Sequence, residues 1–238
     1  MFEFLVTLFD ALLYRPLFNA LILIYEYFPP QDFGLAIIWL TIFIRLIIYP
    51  ISVKAVKSQK TLQRLQPQIQ ELQKKYKNDK EKQAKETLEL YQKEKINPFS
   101  GLLLVIVQLP ILIALYRVFY LGLKPEELSH LYSFVVNPGH INAMFLGLLD
   151  LSKANLILAI IAGVSQFVQT KMLLPKLSRS QAKTTDVSTL MQKQMAYVFP
   201  FITVLILYKL PAAIGLYWII SGIFSIVQQY YILKKIPS

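Results

Sequence analysis

Arg45 is the only charged side chain in an otherwise apolar stretch, residues 33–53, FGLAIIWLTIFIRLIIYPISV. A helix of about 20 such residues crosses roughly 30 Å of hydrocarbon. An arginine at that depth costs about 2.5 to 3.5 kcal/mol on insertion scales, so it usually faces a bundle interior or a watery cavity. The plainer alternative is snorkelling: Lys54 and the aqueous phase lie nine residues on, about 13 Å along a helix axis. Other apolar stretches add Gln108, Ser165, Gln166, Gln169, Thr170, Ser221 and Gln228, and Thr41 lies one turn before Arg45. Each alone reads most simply as an interhelical hydrogen bond. Beside a cation with no intramembrane acid to pair with, they describe a hydrated hollow able to receive something negative or polar.

Other chemistry is excluded. No apolar stretch contains Asp, Glu or His, so intramembrane serine, aspartyl and zinc proteolysis lack their parts. There is no cysteine, no phosphate-binding P-loop, and the two histidines, His130 and His140, have no carboxylate at ligand spacing. The reading is a protein that is not an enzyme and needs no metal or cofactor.

The elements that must position these groups follow from hydropathy. The 238 residues are 55% hydrophobic and 16% charged, with mean hydropathy +0.47, against about 25% charge in soluble domains. This is the composition of an all-α, polytopic membrane protein. Five spans are predicted, at residues 33–53, 98–123, 154–174, 194–208 and 212–233. Pro50 should kink the first, with Tyr49 and Ser52 satisfying the freed backbone groups. Residues 1–32 begin with Phe2, Leu5, Val6, Phe9, Leu12 and Leu13 at helical spacing among Glu3, Asp10 and Arg15. That suits an amphipathic helix in the membrane interface, interrupted by Pro16, with a membrane-dipping segment as the alternative. No removable signal is read there.

Residues 54–97 are the only long polar segment. Leu62, Leu65, Ile69, Leu72 and Tyr76, then Ala84, Leu88 and Tyr91, mark two amphipathic arms meeting at Asn78 and Asp79, a helical hairpin standing in water. Residues 124–153 form a loop whose apolar patch, Met144 to Leu149, could rest on the membrane. A basic loop, 175–193, and a short tail, 234–238, complete the chain. The hairpin holds twelve Lys and Arg, Lys171 to Lys193 five and the tail two, whereas Arg15, Lys124, Lys153 and Lys209 are all that the opposite side carries. The positive-inside rule then puts hairpin, basic loop and tail in the cytoplasm and the N-terminus outside.

The residues LQP at 65–67, YQKEKINP at 91–98, QLP at 108–110 and PAAIGLYW at 211–218, in order after TIFIRLIIYP at 41–50, resemble the YidC/Oxa family of membrane protein insertases. The resemblance runs over nearly the whole chain, in the short form without a large extracytoplasmic domain. It implies five core helices around a hydrophilic groove, open to the cytoplasm and to lipid. It implies Arg45 as the groove's positive centre, with Thr41, Gln169 and Trp218, and more weakly Gln166 and Tyr217, as lining or substrate-contact positions. It also implies nascent membrane proteins as clients, the Sec translocon, the ribosome and targeting factors as partners, membrane lipid as surroundings, and a bacterial plasma membrane as location. Ribosome binding through a long basic tail is not supported by two lysines. The rival reading is a small-solute or anion transporter using Arg45 as its site, against which stand the long hairpin and the lack of repeated halves.

Overall fold

The computed structural model describes residues 2–28, 30–94, 96–97, 100–122, 125–174 and 194–235. The basic loop 175–193, the last three residues of the tail and Lys124 lie outside the described residues.

The chain opens with α1 (Phe2–Phe9), one wide π-turn (Asp10–Tyr14) and α2 (Arg15–Tyr27). Pro16 does not interrupt this run. It sits in the first turn of α2, where its missing N–H is least felt, and the wider turn before it relieves the crowding that a proline ring brings. Glu3–Tyr27 is therefore long and apolar enough to cross a membrane. Its polar contacts run along one loop. Tyr14 donates to Glu127, Asn19 Oδ1 accepts from Tyr132 N–H at 2.7 Å, and Tyr25 Oη accepts from Asn142 N–H at 3.2 Å. These partners all belong to the loop between the second and third predicted spans. This stretch, about 17 Å along its axis, is thus held against that loop at both ends.

α3 (Phe33–Ile47) starts at Asp32, whose Oδ1 caps it by accepting from Leu35 N–H at 2.8 Å. After a 64° bend at Ile48 the chain continues as α4 (Tyr49–Lys75). Pro50 occupies the first turn of α4, so the bend falls just before it, where its ring disfavours a continuing helix. Ser52 does not satisfy the local backbone as expected: its hydroxyl donates to Gln228 Oε1 at 2.7 Å, and Tyr49 meets Phe224 edge-on. The chain turns back at Asp79, which caps α5 (Lys80–Lys93) by accepting from Lys82 N–H at 2.9 Å. Arg64 and Glu94 join the two arms at 2.8 Å, and Lys82 stands over the Tyr76 ring. Gln63 donates to the Leu173 carbonyl, tying the hairpin's first arm to the bundle.

α6 (Ser100–Leu121), with Pro110 inside it, leads to the loop, where β1 (Met144–Phe145) and β2 (Leu149–Asp150) pair antiparallel, Met144 opposite Asp150. α7 (Leu156–Leu173) is capped by Asn155; α8 (Phe199–Leu207) follows a π-turn, and α9 (Ala212–Lys235) ends the described chain. Among the described residues three helices, Glu3–Tyr27, Leu156–Leu173 and Ala212–Lys234, have the length and apolarity of a span, and the bent pair α3–α4 makes a fourth. Ile106–Leu121 and Ala196–Leu207 are shorter apolar helices. The fold is nearly all helix, and the side chains of Phe43, Ile157, Phe201 and Ile223 stand exposed on its outside, as a lipid-facing surface requires.

α9 is the central post, packed against α3, α4, α6 and α7. Small residues let the helices close up, since apolar burial does not drive association within lipid. A Cβ on Gly163 of α7 would stand 2.4 Å from Val204 Cγ2 and 3.1 Å from the Pro200 carbonyl of α8; one on Gly222 of α9 would stand 2.6 Å from Ser165 Oγ of α7. Gly163→Leu should therefore force α7 and α8 apart and destabilise the bundle by about 1 to 3 kcal/mol, the usual range for overpacking. Thermal unfolding in detergent, against an exposed control such as Val164→Leu, checks this.

Candidate functional site

Arg45 lies in the last turn of α3, half-buried, and its Nε is buried with no hydrogen-bond partner among the described residues. Tyr217 of α9 is its electrostatic neighbour, and no carboxylate among the described residues contributes. The groups expected around it separate into three kinds.

Thr41 is 1% exposed, and its hydroxyl donates to Ile37 O at 2.6 Å, so its proton is used on its own helix. Tyr217 is also buried and accepts a hydrogen bond from Gln108 of α6. Both stand in the wall behind Arg45 rather than at an open surface. Gln166 joins three helices: its Oε1 accepts from Thr203 of α8 at 2.6 Å and from Trp218 Nε1 of α9 at 3.0 Å. Gln169, one turn on, is half-buried with no partner among the described residues.

Trp218 divides the site. Its N–H is held in the polar knot at Gln166, while its ring lines an apolar cavity of about 280 Å³ between α6, α8 and α9. Leu112, Ile113 and Tyr116 of α6, Thr203, Ile206 and Leu207 of α8, and Leu210 and Ile214 form the rest of that wall. An amphipathic ring is suited to such a boundary, with one edge polar and its faces apolar. The two halves differ sharply in chemistry, one presenting a cation and amides, the other hydrocarbon.

The polar half extends further than the expected set. Ser221, Ser225, Gln228 and Gln229 are all buried on α9, and Ser52 of α4 meets Gln228. Ser221 Oγ, Gln228 Nε2 and Gln229 Oε1, like Arg45 Nε, have no partner among the described residues. A buried polar atom left unpaired costs roughly 1 to 3 kcal/mol. Several along one line call for water or for a polar guest. Ser221 and Gln228 were visible as polar residues in an apolar run, and Ser225 and Gln229 follow from the same i, i+4, i+8 spacing. Thr203, alone in FPFITVLIL, had only that isolation as a signal. Arg117 sits outside this site, bonded to Asp10 at 2.5 Å and standing 4.4 Å from the Tyr14 ring centroid.

The model of the family described as 60Kd inner membrane protein matches residues 23–238. Among curated relatives, the membrane protein insertase YidC of Fusobacterium nucleatum is 34% identical over 204 residues, covering 86% of this chain and 87% of the relative. That of Oceanobacillus iheyensis is 34% identical over 209 residues, covering 86% of this chain and 75% of the relative. The YidC of Geobacter metallireducens is a longer protein: the match is 32% identical over 230 residues and takes in 96% of this chain but 38% of the relative. Among solved structures, the crystal structure of an active YidC insertase with its first transmembrane domain resolved superposes with a TM-score of 0.58 at 28% identity, covering 92% of this chain and 46% of that one. The chain therefore belongs to the 60Kd inner membrane protein family, the family of the YidC membrane protein insertases.

Proposed function

We propose that this chain moves short polar segments of nascent membrane proteins past Arg45 and releases their apolar helices sideways into the bilayer. The observation that carries this reading is Arg45, half-buried with its Nε buried and unpaired among the described residues, together with the unpaired polar atoms of α9 and the apolar cavity beside Trp218. A polar tail entering hydrocarbon loses its hydration, several kcal/mol for an unpaired amide. The amides and hydroxyls of α9 with their water replace part of that hydration, and Arg45 attracts any acidic group in the tail. Unit charges about 4 Å apart are worth roughly 4 kcal/mol at an effective dielectric of 20. Meanwhile the client's apolar segment rests against the Trp218 ring and the walls of α6 and α8, then partitions into lipid. The transfer is driven by that partition and uses no catalytic group, cofactor or nucleotide of this chain.

In this reading Arg45 is the centre of the groove, Gln169 and Trp218 meet the client, and Thr41, Tyr217 and Gln166 shape the walls. Nascent membrane proteins are the clients; the Sec translocon, the ribosome and targeting factors are the partners that the family resemblance supports. The location is a bacterial plasma membrane, with the hairpin and α9's end in the cytoplasm and the N-terminus outside.

Three outcomes test this. Photocrosslinkers at positions 41, 45, 169 and 218 should capture a stalled nascent chain with a short acidic tail and lose it once the chain is released into lipid. Capture from the hairpin alone would make the protein a receptor. Arg45→Ala should lower insertion of acidic-tailed clients at least about tenfold, which takes only 1.4 kcal/mol, and spare neutral tails; equal loss for both would remove the electrostatic role. Because the chain has no cysteine, a single cysteine at Glu81 should resist a membrane-impermeant maleimide applied to spheroplasts, and one at Ser129 should react.

A further inference from the structure

The strand pair in the loop between α6 and α7 has a tip unsuited to water. Leu148 N–H donates to Phe145 O at 3.0 Å, so Leu146 and Gly147 are the central residues of a tight turn. Their φ angles are 52° and 68°, the mirror-image hairpin turn that favours Asn, Asp or Gly at both positions. A leucine at the first of them is in an unfavourable conformation and places hydrocarbon where a water-facing turn places an amide. Leu146 is 57% exposed and Leu148 87%. Residues 141–149, INAMFLGLL, carry no charge at all.

The base of the hairpin is the opposite. Asp150 and Lys153 pair at 2.9 Å, and hydrogen bonds from Ser152, then Lys153, hold the Asp150 carboxyl below its usual range. The hairpin is thus amphipathic along its length, charged at its foot and apolar at its tip. Both parts grip the bundle. Near the tip, Phe145 packs on Gly34, where a Cβ would come within 2.1 Å of its ring, and Leu146 N–H donates to Asp32. At the foot, the carbonyls of Leu151 and Lys153 accept from Ala213 N–H at 3.0 Å and Ala212 N–H at 2.8 Å. The hairpin therefore bridges the first turns of α3 and α9, the helices that hold Arg45 and Trp218. Beside the start of α3, exposed Phe28 packs on the exposed ring of Trp39, with centroids 5.9 Å apart.

We infer that the tip, Leu146 to Leu148, is seated in phospholipid of the loop-side leaflet, making the hairpin a lipid-anchored clasp across the starts of α3 and α9. The occupant is lipid because the tip has no charge to meet a soluble partner, and because the hairpin is attached to the starts of α9 and of the bent α3–α4 pair, both long and apolar enough to cross a membrane. The inference rests on membrane residence and stands whether or not Arg45 acts on acidic tails.

The test uses the full chain in vesicles of phosphatidylethanolamine and phosphatidylglycerol, with an environment-sensitive fluorophore on a single cysteine at Leu148→Cys or, as control, Lys153→Cys at the foot. The label at 148 should emit to the blue of that at 153, be quenched by nitroxide placed high on the lipid acyl chain, and be shielded from aqueous iodide. The label at 153 should show the reverse. Iodide quenching at 148 equal to that at 153 would put the tip in water and overturn the inference. Shielding at 148 from iodide and nitroxide alike would mean that a second protein copy covers the tip, and would overturn it equally.

Discussion

A guanidinium held on an apolar helix with no carboxylate among the described residues in reach is stable only where water or polar groups can meet it. Arg45 sits at the end of α3, just before the chain bends by 64° at Ile48. Had α3 run straight on, its next turns would have continued along the same wall. Instead the bend carries α4 away, and Ser52 meets Gln228 on α9 at the point of departure. The central α9 supplies hydroxyls and amides to the same interior, while its glycines and small residues let α7 press against it. Close packing on one side and polar, underfilled packing on the other are two faces of one helix.

The polar and apolar halves of the site are joined at Trp218. Gln166 holds the indole by its N–H, and Thr203 brings α8 into the same knot. α8 has only nine residues. It is packed along α7, where Gly163 admits Val204 and the Pro200 carbonyl, and the side-chain bonds fix it to α9 as well.

Charge and breaks in periodicity were what the sequence made legible. Arg45 announced itself because a single cation in 21 hydrocarbon-rich residues has few physical excuses. Asp79 and Asn78 marked the hairpin turn because a short polar side chain after an amphipathic run caps the next helix, and Asp79 does so. Pro50 marked the bend. The pairings were not legible: that Gln108 meets Tyr217, that Gln166 meets both Thr203 and Trp218, and that Ser52 meets Gln228 depends on the rotation of each helix about its axis. An all-round apolar span carries little periodicity from which to read that rotation. Pro16 misled for a different reason, since one wide turn before it let the helix run through.

The bend has a mechanical side as well. α4 is a single helix of 27 residues, about 40 Å long at 1.5 Å per residue. It starts at the bend; Ser52 lies about 6 Å along it and Gln63, tied to Leu173, about 22 Å. The first half of α4 is therefore held by the bundle at two points, and the half beyond Gln63 extends the reach of the chain by roughly 18 Å more.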